Sequence, residues 1–343
     1  MKEIKNNPLV CVCVPAYNAE ATIGESLRSI LGQDYAGLKV ILADNASTDR
    51  TVEIARGLAE KDGRLEISRS AVNLGGEANF SRCIELAGGD YTAIYHADDI
   101  YCPEMVGEAA AFLSRWPEAG AVFTGAYEID AENSVIGRRR PPARLADGRP
   151  HGFDEVFSEV LRRGNFMICP SAMVKTAIYK NEIKAWNGEK YRTSADLDVW
   201  LRIAEKHRLG FLDRPLLRYR VSQRSYTYNM VRLRTDRHDI FLVLREYVKK
   251  YAAFTAGKRG ERDFRLLLLK DDINLAINQL INADAARARE KLKGIFSPAN
   301  IAGSFGSLLQ LKMLFYGYAA WLLSFLPLGG PGRALLAKVR HNG

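Results

Sequence analysis

A chain of 343 residues that is 47% hydrophobic and 26% charged holds enough apolar material for one large domain with an appendage, or for two domains, and is not disordered. Its net charge of +9 and pI near 9.2 favour anionic partners such as phosphates or an acidic lipid surface; with no nucleic-acid-binding module recognisable, nucleic acid is not among the expected partners. Five cysteines, without zinc spacing or a disulfide framework, imply buried free thiols in a reducing compartment; MKEIKNNPLV lacks the apolar core of a signal peptide, so a cytoplasmic protein is expected.

In chain order, Leu9 to Val14 is a continuous valine-rich run, which predicts a strand buried on both faces and ended by Pro15. From Ala19 to Gln33 the residues Ile23, Leu27, Ile30 and Leu31 recur at helical spacing. Leu38 to Ala43 repeats the strand signal, and the polar turn Asp44 to Asp49 leads into a helix over Thr51 to Glu60. A short strand at Leu65 and Ile67 is followed by Asn73, Gly75 and Gly76, then by a helix carrying Phe80, Ile84 and Ala87 that stops at Gly88 and Gly89. Alternating strands and helices at this spacing predict a mostly parallel, doubly wound sheet.

The central stretch is Tyr91 to Met105, YTAIYHADDIYCPEM, an apolar strand ending in Asp98 and Asp99 ahead of a helix that begins near Pro103. Carboxylates at the carboxyl end of a central strand suit a hard divalent cation and, through it, a diphosphate; alone, the pair would read as a turn and helix cap. Beyond it, Ala121 to Thr124 reads as a strand, Arg138 to Pro150 as a mobile surface loop, either simply solvated or a lid whose arginines neutralise phosphate, and Phe166 to Val174 as a strand interrupted at Pro170. Thr193 to Ile203 is an amphipathic helix with Asp196 at its start. Asp198 lies roughly 200° around the axis from Asp196, so the two cannot both face the same cleft, which leaves room for one catalytic and one structural carboxylate. Leu216 to Val221 forms a last strand.

From about Tyr226 only helices are predicted. Met313 to Leu328 lacks charge, and its sixteen residues would span about 24 Å as a helix, short of a bilayer core. With Lys312 before it and Arg333, Lys338 and Arg340 after it, an interfacial segment on acidic lipid is the preferred reading; a buried packing helix and a true span are the others. The domains are therefore expected at 1–225, 226–300 as a helical extension, and 301–343 as a membrane-associating tail, with 306–343 meeting the membrane.

Several motifs fall in one order: VPAYN at Val14 to Asn18, DNASTDRT at Asp44 to Thr51, Asn73 with Gly75, Asn79 and Arg82, Gly89-Asp90-Tyr91 before Ala97-Asp98-Asp99 and Pro103, DLDVWLR at Asp196 to Arg202, and Tyr219-Arg220-Val221. Together they resemble the inverting glycosyltransferases of family 2. The resemblance implies the α/β GT-A fold, a Rossmann-like nucleotide-binding and mostly parallel sheet with helices on both faces, here with a C-terminal helical extension. It further implies a nucleotide-sugar donor, an Mg²⁺ or Mn²⁺ cofactor held by Asp99 and Asp98, and Asp196 as the general base. Pro15, Tyr17, Asn18, Asp44, Asn45, Asn73, Gly75, Arg82 and Asp98 would bind the donor nucleotide, and Arg220 and Arg224 would contact phosphate or acceptor. The implied acceptor is a glycan, lipid-linked, in cell-envelope polysaccharide synthesis, with the enzyme peripheral on the inner face of the membrane.

The chain departs from the family pattern at four positions. His96 stands where Asp is frequent and either bonds ribose or is a strand-end residue, the latter preferred; Asn45 replaces an Asp whose carboxylate can accept a base N–H, although an amide oxygen can also accept it. Ala195 replaces Glu, and Ser222 replaces a late His. A catalytically silent nucleotide-sugar-binding scaffold or sensor is the competing reading. A nucleotidyltransferase would need a glycine- and arginine-rich phosphate loop, which residues 15–25 lack.

Overall fold

The computed structural model describes residues 8–221, 234–255, 258–298, 300–301 and 308–342. They divide into two compact units, one within Met1–Val160 and Asn165–Ser222, the other within Leu161–Gly164 and Gln223–Gly343.

The first unit is built on nine strands: β1 (Val10–Ala16), β2 (Leu38–Asp44), β3 (Leu65–Arg69), β4 (Tyr91–Ile94), β5 (Ile100–Tyr101), β6 (Ala119–Ile129), β7 (Val135–Arg139), β8 (Met173–Lys175) and β9 (Arg208–Arg220). The sheet order is β3-β2-β1-β4-β8-β6-β9-β5, with β7 paired to β6. β1 to β4 are mutually parallel, as the strand–helix alternation predicts, whereas β8 runs antiparallel between β4 and β6. The helices are α1 (Ile23–Leu31), α2 (Thr51–Ala59), α3 (Gly76–Leu86), α4 (Met105–Arg115), α5 (Phe153–Arg163) and α6 (Ala195–Ala204).

Both faces of β1 are covered because its side chains alternate. Val10, Val12 and Val14 pack in one core with Ile23, Leu27 and Ile30 of α1 and Met105 and Val106 of α4. On the opposite face Cys13 donates its thiol proton to the Cys83 carbonyl of α3. Gly89 admits no side chain before β4: its φ is +76°, and a Cβ there would lie 2.6 Å from the Leu9 carbonyl oxygen.

Several sequence expectations change, two of them near the site. Residues Arg138 and Arg139 are not loop but part of β7, because β6 runs on to Ile129 and turns at Asp130, whose Oδ1 accepts the N–H groups of Glu132 and Ser134. Three of the segment's arginines pair with acids of the same unit, Arg139 with Glu128 at 2.6 Å and Arg138 and Arg140 with Asp213. Between Phe166 and Val174, Pro170 sits in a 3₁₀ turn over Cys169–Ser171, and only Met173–Lys175 pairs as a strand, since proline has no N–H to give the ladder.

The second unit contains α7 (Ile240–Lys250), α8 (Lys258–Ile281), α9 (Ala285–Lys293), α10 (Leu308–Leu323) and α11 (Gly330–Asn342). Leu269, Ile273 and Ala276 of α8, Leu292 of α9, Ile295, and Ala320 of α10 share one core. Within this unit α10 buries part of its surface in the same cluster as α8 and α9. Among the described residues no helix is long and apolar enough to cross a membrane.

Candidate active site

The carboxyl ends of β1, β2 and β4 carry the polar side chains of the first unit. After β4 the chain folds back on itself, with Tyr95 and Tyr101 buried and stacked at 4.1 Å. The Tyr101 hydroxyl accepts the His96 N–H at 2.7 Å and donates to the His96 carbonyl, and Ser26 Oγ donates to the same carbonyl at 3.0 Å. This stack fixes the turn that presents Asp98 and Asp99.

Asp99 is 1% exposed. Its Oδ1 accepts the Arg220 backbone N–H at 2.8 Å, but its Oδ2 has no hydrogen-bond partner, nor does the buried His96 Nε2. His96 Nδ1 stands 3.7 Å from Asp99 Oδ2. Burial, and then the neighbouring Asp98, push the Asp99 carboxyl well above the usual range, while burial lowers His96 and leaves it a neutral imidazole with a lone pair to offer. Donor atoms of His96, Asp98 and Asp99 lie within 4.8 Å of one another. An orphaned buried oxygen beside a second carboxylate and an imidazole fits a divalent cation. The reading of His96 as a strand-end residue misses this convergence.

Arg220, expected to contact phosphate or acceptor, is fully engaged within the protein. Its Nε donates to the Asp98 carbonyl at 2.8 Å, Nη1 to the carbonyls of Asp130 and Ala131, and Nη2 to Glu25 Oε2 at 3.0 Å. Glu25 Oε1 in turn accepts from Asn133 Nδ2. The guanidinium is thus committed to bracing the Asp98-Asp99 turn against α1 and the β6–β7 hairpin. Arg224 and Ser222 lie outside the described residues.

Beside this turn, the β1 and β2 ends form a second polar cluster. Asn18, at φ +48°, accepts the Thr48 N–H through its Oδ1 at 2.9 Å, and its own N–H goes to Ser47 Oγ, which ties the loops after β1 and β2 together. Pro15 lies opposite Ala43 in the ladder and Tyr17 is half exposed. Asn45 donates to Asn73 Oδ1 at 2.8 Å and to the Gly75 carbonyl, and its Oδ1 accepts the Leu74 N–H at 2.9 Å. Its amide therefore pins the 73–75 loop instead of waiting for a base. The open acceptor is its neighbour: Asp44 is fully buried, its Oδ2 takes the Ser47 N–H and faces Arg69 Nε at 3.3 Å, and its Oδ1 has no partner. Arg82 lies beneath, donating to the Asp44 carbonyl and to Ser68 Oγ, with Asn79 bonded to the Ala43 carbonyl.

Asp196 opens α6. Its Oδ1 accepts the Leu197 N–H at 2.7 Å and its Oδ2 accepts from Asn165 Nδ2 at 2.8 Å; burial outweighs both bonds and the carboxyl is pushed up to about 6. Asp198 turns the other way, buried against Arg202 Nε at 2.9 Å and Asn187 Nδ2 at 3.0 Å, which makes it the structural member of the two. Burial raises the Cys169 thiol pKa, and both Asp196 and Asp99 raise it further, so the thiol lies in the field of the two carboxylates. Asn165, Cys169 and Glu25 carry no motif and were not legible in the sequence.

Residues 11–181 match the family description glycosyl transferase family 2. The chain belongs to that family. This family-2 glycosyltransferase is 29% identical over 235 residues to EpsE of Bacillus subtilis, a protein assigned as a glycosyltransferase, across 66% of this chain and 80% of the relative. It is 22% identical over 223 residues, 64% of this chain and 80% of the relative, to the Escherichia coli UDP-Glc:alpha-D-GlcNAc-diphosphoundecaprenol beta-1,3-glucosyltransferase WfgD. The crystal structure of Staphylococcus aureus TarS with UDP-GlcNAc superposes with a TM-score of 0.56 at 18% identity, covering 97% of this chain and 88% of that one, a likeness of fold. The glycosyltransferase thus has the GT-A architecture, with its Asp pair just beyond the carboxyl end of β4 and Asp196 in the first turn of α6.

Proposed function

We propose that this glycosyltransferase is an inverting, divalent-metal-dependent enzyme that moves a sugar from a nucleotide donor to a hydroxyl of a lipid-linked glycan acceptor. The reading includes a step of cell-envelope polysaccharide synthesis, carried out by an enzyme held peripherally on the inner face of the membrane. One observation carries the chemistry: within one unit, Asp99 has a buried, unpartnered oxygen beside Asp98 and His96, and a separate carboxyl, Asp196, is pushed up to about 6.

His96, Asp98 and Asp99 would hold the cation, which when bound neutralises charge on the diphosphate leaving group. The remaining work falls to the chain. Asp196, ionised and oriented by the Leu197 N–H and Asn165, takes the proton from the acceptor hydroxyl as it attacks the anomeric carbon. Asp44 Oδ1 accepts an N–H of the nucleobase, and Arg220 keeps the aspartate turn in position. The lipid-linked acceptor is supported by the substrate named for the WfgD relative and by the chain's net charge of +9.

The test is release of nucleoside diphosphate across a panel of nucleotide sugars with Mn²⁺ or Mg²⁺, each repeated with chelator. Release from one donor that chelator stops is the expected result. Donor binding by thermal shift without release, in the presence of lipid-linked acceptors, would favour the silent scaffold. Asp196→Asn should abolish transfer and spare donor binding; persistent turnover would overturn the base assignment.

A further inference from the structure

Apart from Gln310 and Lys312, helix α10 carries apolar and aromatic side chains on every face, yet only one face is packed. Met313, Leu314, Gly317, Ala320, Trp321 and Ser324, spaced by three and four residues, turn inward. A Cβ on Gly317 would meet Ile295 at 3.0 Å, so glycine is what lets the helix lie this close to its neighbours. The opposite stripe, Leu308, Leu311, Phe315, Tyr318, Leu322 and Phe325, follows the same spacing and is exposed, Leu308 to 87% and Phe315 to 68%. Single exposed apolar residues need no explanation, but a continuous stripe of leucines and aromatics two turns and more in length does.

The charge around the stripe names its occupant. From Lys291 to Gly343 the sequence has no Asp or Glu, but four lysines and two arginines. Among these, Lys312 and Lys338 are exposed in the second unit, and the Lys312 ammonium lies 5.7 Å from the Tyr316 ring, beside the stripe. An acid-free, cationic stretch of sequence that carries this stripe of leucine, phenylalanine and tyrosine, with Lys312 beside it, complements an anionic lipid surface, with the aromatics at headgroup depth and the leucines among the upper acyl carbons. A protein partner of matching surface would leave this one-sided charge without a reason.

The geometry points to α10 as a monotopic membrane-docking helix: it lies in the plane of an anionic leaflet, its Leu311–Phe315–Leu322 stripe immersed and its Gly317–Ala320 stripe held by α8 and α9. The packed stripe forbids surrounding the helix with lipid, and its sixteen residues reach only about 24 Å. This deepens the peripheral-membrane part of the proposed function by naming the surface. The test needs no turnover, so the two readings can fail separately.

The experiment is flotation of the full chain with vesicles of phosphatidylcholine alone or doped with phosphatidylglycerol. The wild type should float with the doped vesicles and resist salt in part. Leu311→Ser with Phe315→Ser, both at exposed positions, should lower vesicle partitioning about tenfold or more at unchanged melting temperature. Lys312→Glu with Lys338→Glu should lower it by more than about fivefold, and only for the doped vesicles. A wild type that stays at the bottom of the gradient, or a serine variant that floats equally well, overturns the assignment. Doubling of molar mass in light scattering that the serine variant abolishes, without flotation, would also overturn it and give the face to a second copy.

Discussion

Asp196 shows how one carboxyl is tuned by position. A helix start and two hydrogen bonds favour its charged form, but burial prevails and its pKa rises from 3.8 to about 6. In its proposed role as base Asp196 must be ionised, so kcat/KM should fall on the acid side with an apparent pKa near 6 in a pH–rate profile, and not near 4. The sign for stability follows the same shift. The folded state binds this proton more tightly, so the ionised carboxylate disfavours folding above pH 6, and the penalty fades towards pH 4. Asp196→Asn is therefore expected to lower kcat by about 100- to 10,000-fold while raising the melting temperature at pH 8 but not at pH 4. Asp44 offers a second test: Asp44→Asn should raise the donor KM by about tenfold with little change in kcat, since its proposed contact with the nucleobase is remote from the reacting bond. An equal loss in both parameters would place Asp44 in the chemistry instead.

At the scale of elements, the Asp98-Asp99 turn, proposed to hold the metal, depends on segments far away in the chain. Arg220 at the end of β9 bonds both Asp98 and Asp99, and Glu25 of α1 bonds Arg220. Removing the guanidinium leaves the Asp98, Asp130 and Ala131 carbonyls without their donor and the turn loose. Arg220→Met should raise the cation concentration for half-maximal activity about tenfold or more, and Arg220→Lys should recover only part, because one ammonium cannot reach four acceptors. Titration of Mn²⁺ binding, read directly by its paramagnetic signal, checks this without turnover. The Gly89 entry to β4 is equally exacting. Gly89→Ala must adopt a positive φ and push against the Leu9 carbonyl, which should destabilise the first unit by about 2 kcal/mol or more in urea unfolding.

For the whole molecule, deleting 306–343 is expected to move the protein from the membrane to the soluble fraction, but it also strips Ala320 from the core shared by α8 and α9. The deletion should therefore lower the melting temperature, whereas serine at Leu311 and Phe315 should not. The sequence by itself determined the parallel βα frame, the Asp98-Asp99 pair and the position of Asp196, because each is written in a short run whose periodicity or spacing is local. It also marked Met313 to Leu328 as apolar with basic flanks. Only the tertiary structure decided which partners these groups meet. Asn165 reaches Asp196 across 31 residues and Arg220 reaches Asp99 across 121, separations at which no local pattern survives. The same holds for Asn45, whose amide the 73–75 loop occupies, leaving Asp44 as the open acceptor, and for the arginines of β7, which a hairpin delivers to Glu128 and Asp213. Composition sets what a side chain can do; the fold sets which of its lone pairs and protons remain free to do it.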